Sequence, residues 1–359
     1  MSINSLYSTW KKKMEQQRPH EHRARVNILV WLIVGIYASR SVQLGRIAAK
    51  IPGSACRTSV MRRLERLVNN KHLRVREWYE PLIRPLLQAQ AGREYRLVVD
   101  GSKVGPWHQL LLVGLAYRRR VIPLGWMWVR TPRHKGRSSA ARQLALLGEV
   151  RCLLPPDAQV LLVGDQEFGA VEVLRQLDAW GWGYVLRQKS SQLFRATAQD
   201  PWQAFGTVID QPGQTVWLGK VDYTEQQAYR TNLLAVWQLG EKQPWLLATN
   251  LPTLQVAVKA YRRRMWIDET FGDLKDNGFD LEATRLQTIQ HLQRLTLAVM
   301  LLYLDLLVSG ARAIKDGLRH LVDRADRRDL SLFRIGLYLR ERLLANQQPF
   351  RIHFLPRLC

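Results

Sequence analysis

The sequence predicts an α/β protein: a mixed sheet with element order βββαβαβ, flanked by helical segments at both ends of the chain. Three observations predict it. Residues 1–90 place apolar side chains at helical spacing, with only Pro19, Pro52, Pro81 and Pro85 to interrupt them. From residue 94 the pattern changes to short β-rich runs, and after the third of these, strands alternate with helices. From about Leu254 the chain reads as helical again, through a basic C-terminus.

Within the first segment, residues 41–67 resemble two short helices broken at Pro52-Gly53, carrying Arg57, Arg62, Arg63 and Arg66. Such a unit suits the reading of nucleic acid, although a helix pair joined by Pro-Gly is common in any helical domain. The first three strands are expected at 95–99, 110–117 and 121–129, with 118–120 as a tight basic hairpin. A helix at 141–154 ends at Pro155-Pro156, followed by a strand at 159–163, a helix at 170–180 and a strand at 184–187. Strand-like segments return at 215–221, 231–237 and 244–250. The expected organisation is therefore a helical region over 1–90, a first part of the core over 91–195 and a β-rich insertion over 196–252. A helix completing the core follows over 253–310, and a basic helical region over 311–359.

Charge restricts the partners. Lys and Arg total 54 against 30 Asp and Glu, a formal net charge of +24. A surplus of this size points to a polyanion, of which phosphate backbones are the commonest. Cys56, Cys152 and Cys359 are scattered, with neither metal-ligand spacing nor a disulfide framework, so a reducing cytoplasm is expected. The apolar run 28–38 is too short to span a bilayer, and 295–311 is interrupted by Asp305. Both read as buried helices, and no membrane partner is expected.

Two carboxylates stand out by position. Asp100 closes the run LVVD before Gly101-Ser102, and Asp165 closes LLVGD before Gln166-Glu167. Each is the first charge after a buried run, at the expected carboxyl end of a strand, where ligands gather in such sheets. Either one alone could simply cap a turn or helix. A third acidic position lies in YRRRMWIDETFGDLK, residues 261–275. If this stretch is one helix, Tyr261, Arg264, Asp268, Phe271 and Lys275 fall within about 80° of one another. That face suits a cation and phosphates, with Arg and Lys gripping a nucleic-acid backbone. A solvated helix with an Arg264–Asp268 ion pair at i,i+4 fits the spacing equally well. Three carboxylates suit Mg²⁺ or Mn²⁺, and two such ions serve phosphodiester chemistry. No zinc-ligand spacing and no Walker-type loop is present, which disfavours zinc and ATP chemistry.

Tyr261-(2)-Arg264-(3)-Asp268-(6)-Lys275, with Asp100 and Asp165, resembles the YREK signature and aspartates of the insertion-sequence-4 family of bacterial DDE transposases. The resemblance covers roughly residues 30–310. It implies a ribonuclease-H-like core with a β-rich insertion before the last catalytic helix. It also implies two Mg²⁺ ions on Asp100, Asp165 and the acid at 268, with Tyr261, Arg264 and Lys275 on the DNA. Trp245 resembles a tryptophan that receives a flipped base during hairpin formation; a place in the core suits it equally. The family has Glu where this chain has Asp268 followed by Glu269. Helical phase favours Asp268, since Glu269 points about 100° away, while the longer arm of Glu269 keeps it as the alternative. The resemblance implies metal-dependent excision and strand transfer at terminal inverted repeats, in a homodimeric synaptic complex with double-stranded DNA. A catalytically impaired DNA-end-binding protein and a structure-selective nuclease on the same core are the alternative expectations.

Overall fold

The computed structural model describes residues 3–131, 137–227 and 229–356; Cys359 lies outside them. The chain divides into two compact units, Ala91–Glu269 and a second made of Met1–Gln90 with Thr270–Cys359.

The unit over Ala91–Glu269 is built on one ten-stranded mixed sheet. Its strands are β1 Tyr95–Val104, β2 His108–Tyr117, β3 Arg120–Arg130, β4 Val160–Gly164, β5 Gly183–Arg187, β6 Leu193–Arg195, β7 Gln203–Ala204, β8 Thr215–Tyr223, β9 Tyr229–Val236 and β10 Trp245–Thr249. In space they run β3-β2-β1-β4-β5-β10-β9-β8-β6-β7. Only β1–β4 and β4–β5 pair in parallel; the remaining neighbours are antiparallel. With helix α6 Ala140–Arg151 after β3 and α7 Val171–Ala179 after β4, the order over β1–β5 is βββαβαβ, as the hydrophobic pattern predicts. The later strands do not form a separate sheet. β10 pairs antiparallel with β5 and so carries the strands of 196–250 onto the edge of the first five.

Local chemistry explains the punctuation. Ser139 caps α6 by accepting a hydrogen bond from the Arg142 N–H, and Pro155-Pro156 follows its end. α6 packs on β2 and β3, and α7 on β5. Strands β2 and β4 are buried on nearly every residue, the mark of central strands covered on both faces.

The other unit is helical: α1 Ile3–Gln17, α2 Arg23–Ser39, α3 Leu44–Ala48, α4 Arg57–Asn69, α5 Val75–Gln88, α10 Ile289–Lys315 and α11 Leu332–Ala345. α3 and α4 are the two short helices expected around Pro52-Gly53. The 27-residue α10 is long and apolar enough to cross a membrane, but its apolar stretch is mostly buried in the protein, packed against α2, α4, α5 and α11. It crosses α11 at Gly310 and Gly336. A Cβ on either glycine would stand 1.9 Å from a carbonyl oxygen of the opposite helix, so only glycine permits this approach. Beside the crossing, Asp305 and Arg340 form an ion pair at 3.0 Å with both side chains almost wholly buried. The Asp305 Oδ1 also accepts the His353 N–H at 2.9 Å. Helix does not run through the C-terminus as expected; the described residues after α11 are irregular.

Two expectations about the functional segments need correction. Asp100 does not end its strand. β1 continues to Val104 because β2 pairs with it throughout, Asp100 facing Leu112 and Val104 facing His108. What ends near Asp100 is the pairing with β4, whose last rung is Val99 opposite Gly164. Residues 261–275 are also not one helix. The helix α8 Leu254–Tyr261 gives way to a 3₁₀ turn at Arg262–Arg264, and α9 Met265–Leu274 follows. The 3₁₀ turn shifts the helical phase between Tyr261 and α9, and Lys275 lies beyond the last residue of α9, so the stripe does not run unbroken from Tyr261 to Lys275.

Candidate active site

The last parallel rung between β1 and β4, Val99–Gly164, sets Asp100 and Asp165 side by side as the next residue on each chain. Backbone hydrogen bonds therefore fix their separation. Gly101 follows and leaves room for two β2 side chains: a Cβ at that position would stand 2.3 Å from Gln109 Nε2 and 2.9 Å from Leu111 Cδ2. Asp165 opens a 3₁₀ turn, Gln166–Phe168, whose Phe168 is buried.

The third carboxylate arrives from α9. Its partner is Arg264, on the preceding 3₁₀ turn. Arg264 Nη2 donates to Asp100 Oδ2 at 2.7 Å and stands 3.8 Å from Asp165; Nη1 donates to Asp268 Oδ2 at 2.8 Å. Three acids thus gather round one guanidinium. Asp100 is the most buried, its side chain 9% exposed against 40% for Asp268. Burial pushes the Asp100 carboxyl up to about 7, opposed by Arg264 and the Gly101 N–H and reinforced by Asp165 and Asp268. Burial also raises Asp268, with Arg264 pulling it back. For Arg264, burial disfavours the cation, yet the surrounding carboxylates outweigh it and its pKa is raised.

Glu269 goes elsewhere. Its side chain is 61% exposed and pairs with Arg120 Nη1 at 3.2 Å, at the start of β3. Of the two candidate third acids, Asp268 therefore joins Asp100 and Asp165, and Glu269 does not. Tyr261, at the end of α8, is buried, which raises its phenol, and its ring meets the half-buried Trp245 edge-on at 5.1 Å. Arg187 at the end of β5 is near enough to Tyr261 to act on it electrostatically, and donates to the Pro244 carbonyl. Lys275 belongs to the helical unit, where its ammonium is engaged by Glu282. Phe271 is likewise a buried residue of that unit.

Sequence reasoning missed a supporting network. Glu167 Oε1 accepts from the Ser138 N–H at 2.6 Å and the Ser138 hydroxyl at 2.5 Å, and its Oε2 accepts from Gln109 Nε2 at 2.7 Å. The buried Gln143 donates to the Glu167 carbonyl at 2.9 Å. These bonds pin the turn that carries Asp165. The pattern Asp-x-Glu was visible, but its partners lie 29 and 58 residues away. Arg187 gave no signal beyond its place at a strand end.

The donor chemistry, though not the present spacing, is that of a divalent-cation site. The three carboxylates that share Arg264 carry the hard oxygen donors that Mg²⁺ or Mn²⁺ prefers. The guanidinium stands between them, and among the described residues no three acidic, His or Cys side chains lie close enough together to hold one ion.

The family model of the transposase DDE domain matches residues 125–304, just over half of the chain, and the chain belongs to that family. The match includes Asp165, Arg264 and Asp268 and begins after Asp100, whose part in the site rests on the β1–β4 register. Among solved structures, the chain is similar to one described as a piggyBac transposase synaptic complex with hairpin DNA. The identity is 10% over 98% of this chain and 83% of that one, with a TM-score of 0.43, below the level at which a shared fold follows. A search of curated proteins finds no match.

Proposed function

We propose that the chain is a metal-dependent DNA transposase that excises an insertion sequence at its terminal inverted repeats and joins it to target DNA. The observation that carries this reading is the register that sets Asp100 beside Asp165, with Asp268 sharing their cation, in a member of the transposase DDE domain family. Asp100, Asp165 and Asp268 would hold two Mg²⁺ ions, with Mn²⁺ able to substitute. When bound, such ions activate a water or 3′-hydroxyl and stabilise the leaving oxygen of a phosphodiester. The protein's own part is electrostatic and positional. Glu167 and Gln143 hold the Asp165 turn, the Asp100 carboxylate is held by its backbone and Arg264, and Arg264 turns to a DNA phosphate when the carboxylates take metal. Tyr261 and Lys275 contact the end phosphates, and Trp245 offers an indole to an unstacked base during hairpin formation.

The finer assignment is to the insertion-sequence-4 family, with a ribonuclease-H-like core over β1–β5, a β-rich insertion at 196–252 and a DNA-reading N-terminal region over 1–90. Two subunits would pair two ends, in the cytoplasm at the nucleoid. The test uses labelled duplexes covering both ends of the element, with Mg²⁺, comparing wild type with Asp165→Ala, Asp268→Ala and Glu269→Ala. Nicking, hairpin and joined products are expected from wild type and Glu269→Ala, and none from the other two. Binding without cleavage by wild type would overturn the enzyme reading, and cleavage without joining would leave a nuclease.

A further inference from the structure

The β2–β3 hairpin closes with Tyr117 opposite Arg120, leaving a two-residue loop of Arg118 and Arg119. Both have positive φ, 46° and 66°. A two-residue loop left-handed at both positions is the type I′ turn, which matches the twist of a hairpin and is ordinarily made by Asn-Gly or Asp-Gly. Arginine has no side chain suited to this conformation, and its Cβ crowds the following carbonyl. Two consecutive arginines here strain the turn, and inside the fold they gain only the stacking of Arg118 on Tyr117.

Their guanidiniums form no ion pair among the described residues. Both residues are exposed. Arg118 lies 5.6 Å over the Tyr117 ring, and neither has a carboxylate partner among the described residues. Arg120 is the opposite case. It is buried, donates to the Arg119 carbonyl at 2.9 Å and pairs with Glu269. One arginine of the three therefore braces the turn, and the other two are presented outward. Leu112 faces Asp100, so the tip lies about 20 Å along the sheet from that residue at the rise of a β-strand. A duplex spans that length in about six base pairs.

We propose that the Arg118–Arg119 turn is a contact for the backbone of duplex DNA, gripping phosphates about six base pairs from the one that meets Asp100. The inference rests on the DNA-processing reading above and extends it to a surface outside the carboxylate site. The strain is retained because glycine or asparagine would relax the turn but supply no charge.

The test replaces the turn by what its backbone prefers, Arg118→Asn with Arg119→Gly, beside a charge-preserving pair, Arg118→Lys with Arg119→Lys. Affinity for end-containing duplex is measured from low to high salt, together with thermal melting. The Asn-Gly variant should melt higher than wild type yet bind roughly tenfold more weakly at low salt. Its log–log salt slope should be shallower by about two units, one for each lost phosphate contact. The double lysine variant should keep the wild-type slope. If the Asn-Gly variant binds with the affinity and slope of wild type, the turn is no DNA contact and the inference is overturned. Failure of wild type itself to bind duplex would instead overturn the proposed function.

Discussion

Replacing Arg264 with Gln removes the cation that Asp100, Asp165 and Asp268 share. The largest loss is at Asp100, where a side chain 9% exposed faces a guanidinium 16% exposed. Removing one partner of a buried pair costs about 3–5 kcal/mol. Two features hold the cost near the lower figure. Asp268 is screened by solvent, and Asp100, already pushed up to about 7 by burial, can take a proton near neutral pH. At about 3 kcal/mol, a unit of this size should melt roughly 6–12 °C lower. The sign reverses when metal is added. With the guanidinium gone, Mn²⁺ has no internal competitor for the carboxylates, and each 1.4 kcal/mol of relieved competition tightens binding about tenfold. The variant should therefore bind Mn²⁺ between about tenfold and a hundredfold more tightly than wild type, and regain most of its melting temperature on saturation. Calorimetric melting with and without Mn²⁺, and Mn²⁺ titration followed by electron paramagnetic resonance, read both effects without DNA or turnover. An unchanged melting temperature together with unchanged Mn²⁺ affinity would refute the claim that Arg264 holds the three acids together.

In the helical unit, Gly310→Ala should unfold at lower urea, by at least about 3 kcal/mol, because the new methyl meets the Leu332 carbonyl and Gly336 backbone, which cannot yield as a side chain would. Gly148→Ala on α6, with open space at its Cβ, serves as the control and should be neutral or stabilising by about 0.5–1 kcal/mol. Arg340→Met should cost about 3–5 kcal/mol by stranding the buried Asp305, and adding Asp305→Leu should restore most of it in a double-mutant cycle. His353 is depressed to about 4, by burial first and then by Arg312, Arg340, Lys13 and Arg351. The unfolded chain therefore binds a proton below about 6.5 that the native state refuses until about 4, so stability should fall as pH drops through that window. Urea midpoints at pH 7 and pH 5 should differ less in His353→Phe than in wild type.

Much of the strand order was legible because its signals are local. Runs such as LVV and LLLV are apolar and bounded by turn residues, and Pro155-Pro156 follows the end of α6 whatever surrounds it. Asp165 was placed correctly for the same reason. Asp100 was misread because Gly101-Ser102 looks like a turn, whereas β2 supplies four more pairing positions, from Gly101 to Val104, that only the folded sheet reveals. The helical stripe failed for a related cause. Phase arithmetic assumes one uninterrupted helix, whereas a 3₁₀ turn at Arg262–Arg264 carries the residue whose guanidinium meets both Asp100 and Asp268. The choice between Asp268 and Glu269 had a visible hint in helical phase. The partner that draws Glu269 away, Arg120, was hidden in a segment read only as a hairpin. Non-local pairs of this kind, like those of Glu167, leave no periodicity to detect.

The meeting of Arg264 with Asp100 joins positions 164 residues apart. At ordinary rates of translation, about 5–20 residues per second, the ribosome needs roughly ten to thirty seconds to travel from one to the other. During that interval the nascent sheet already owns two aspartates but not their counter-charge or the third acid. A truncated product released anywhere before residue 264 therefore carries the two aspartates without the guanidinium that they share in the full chain.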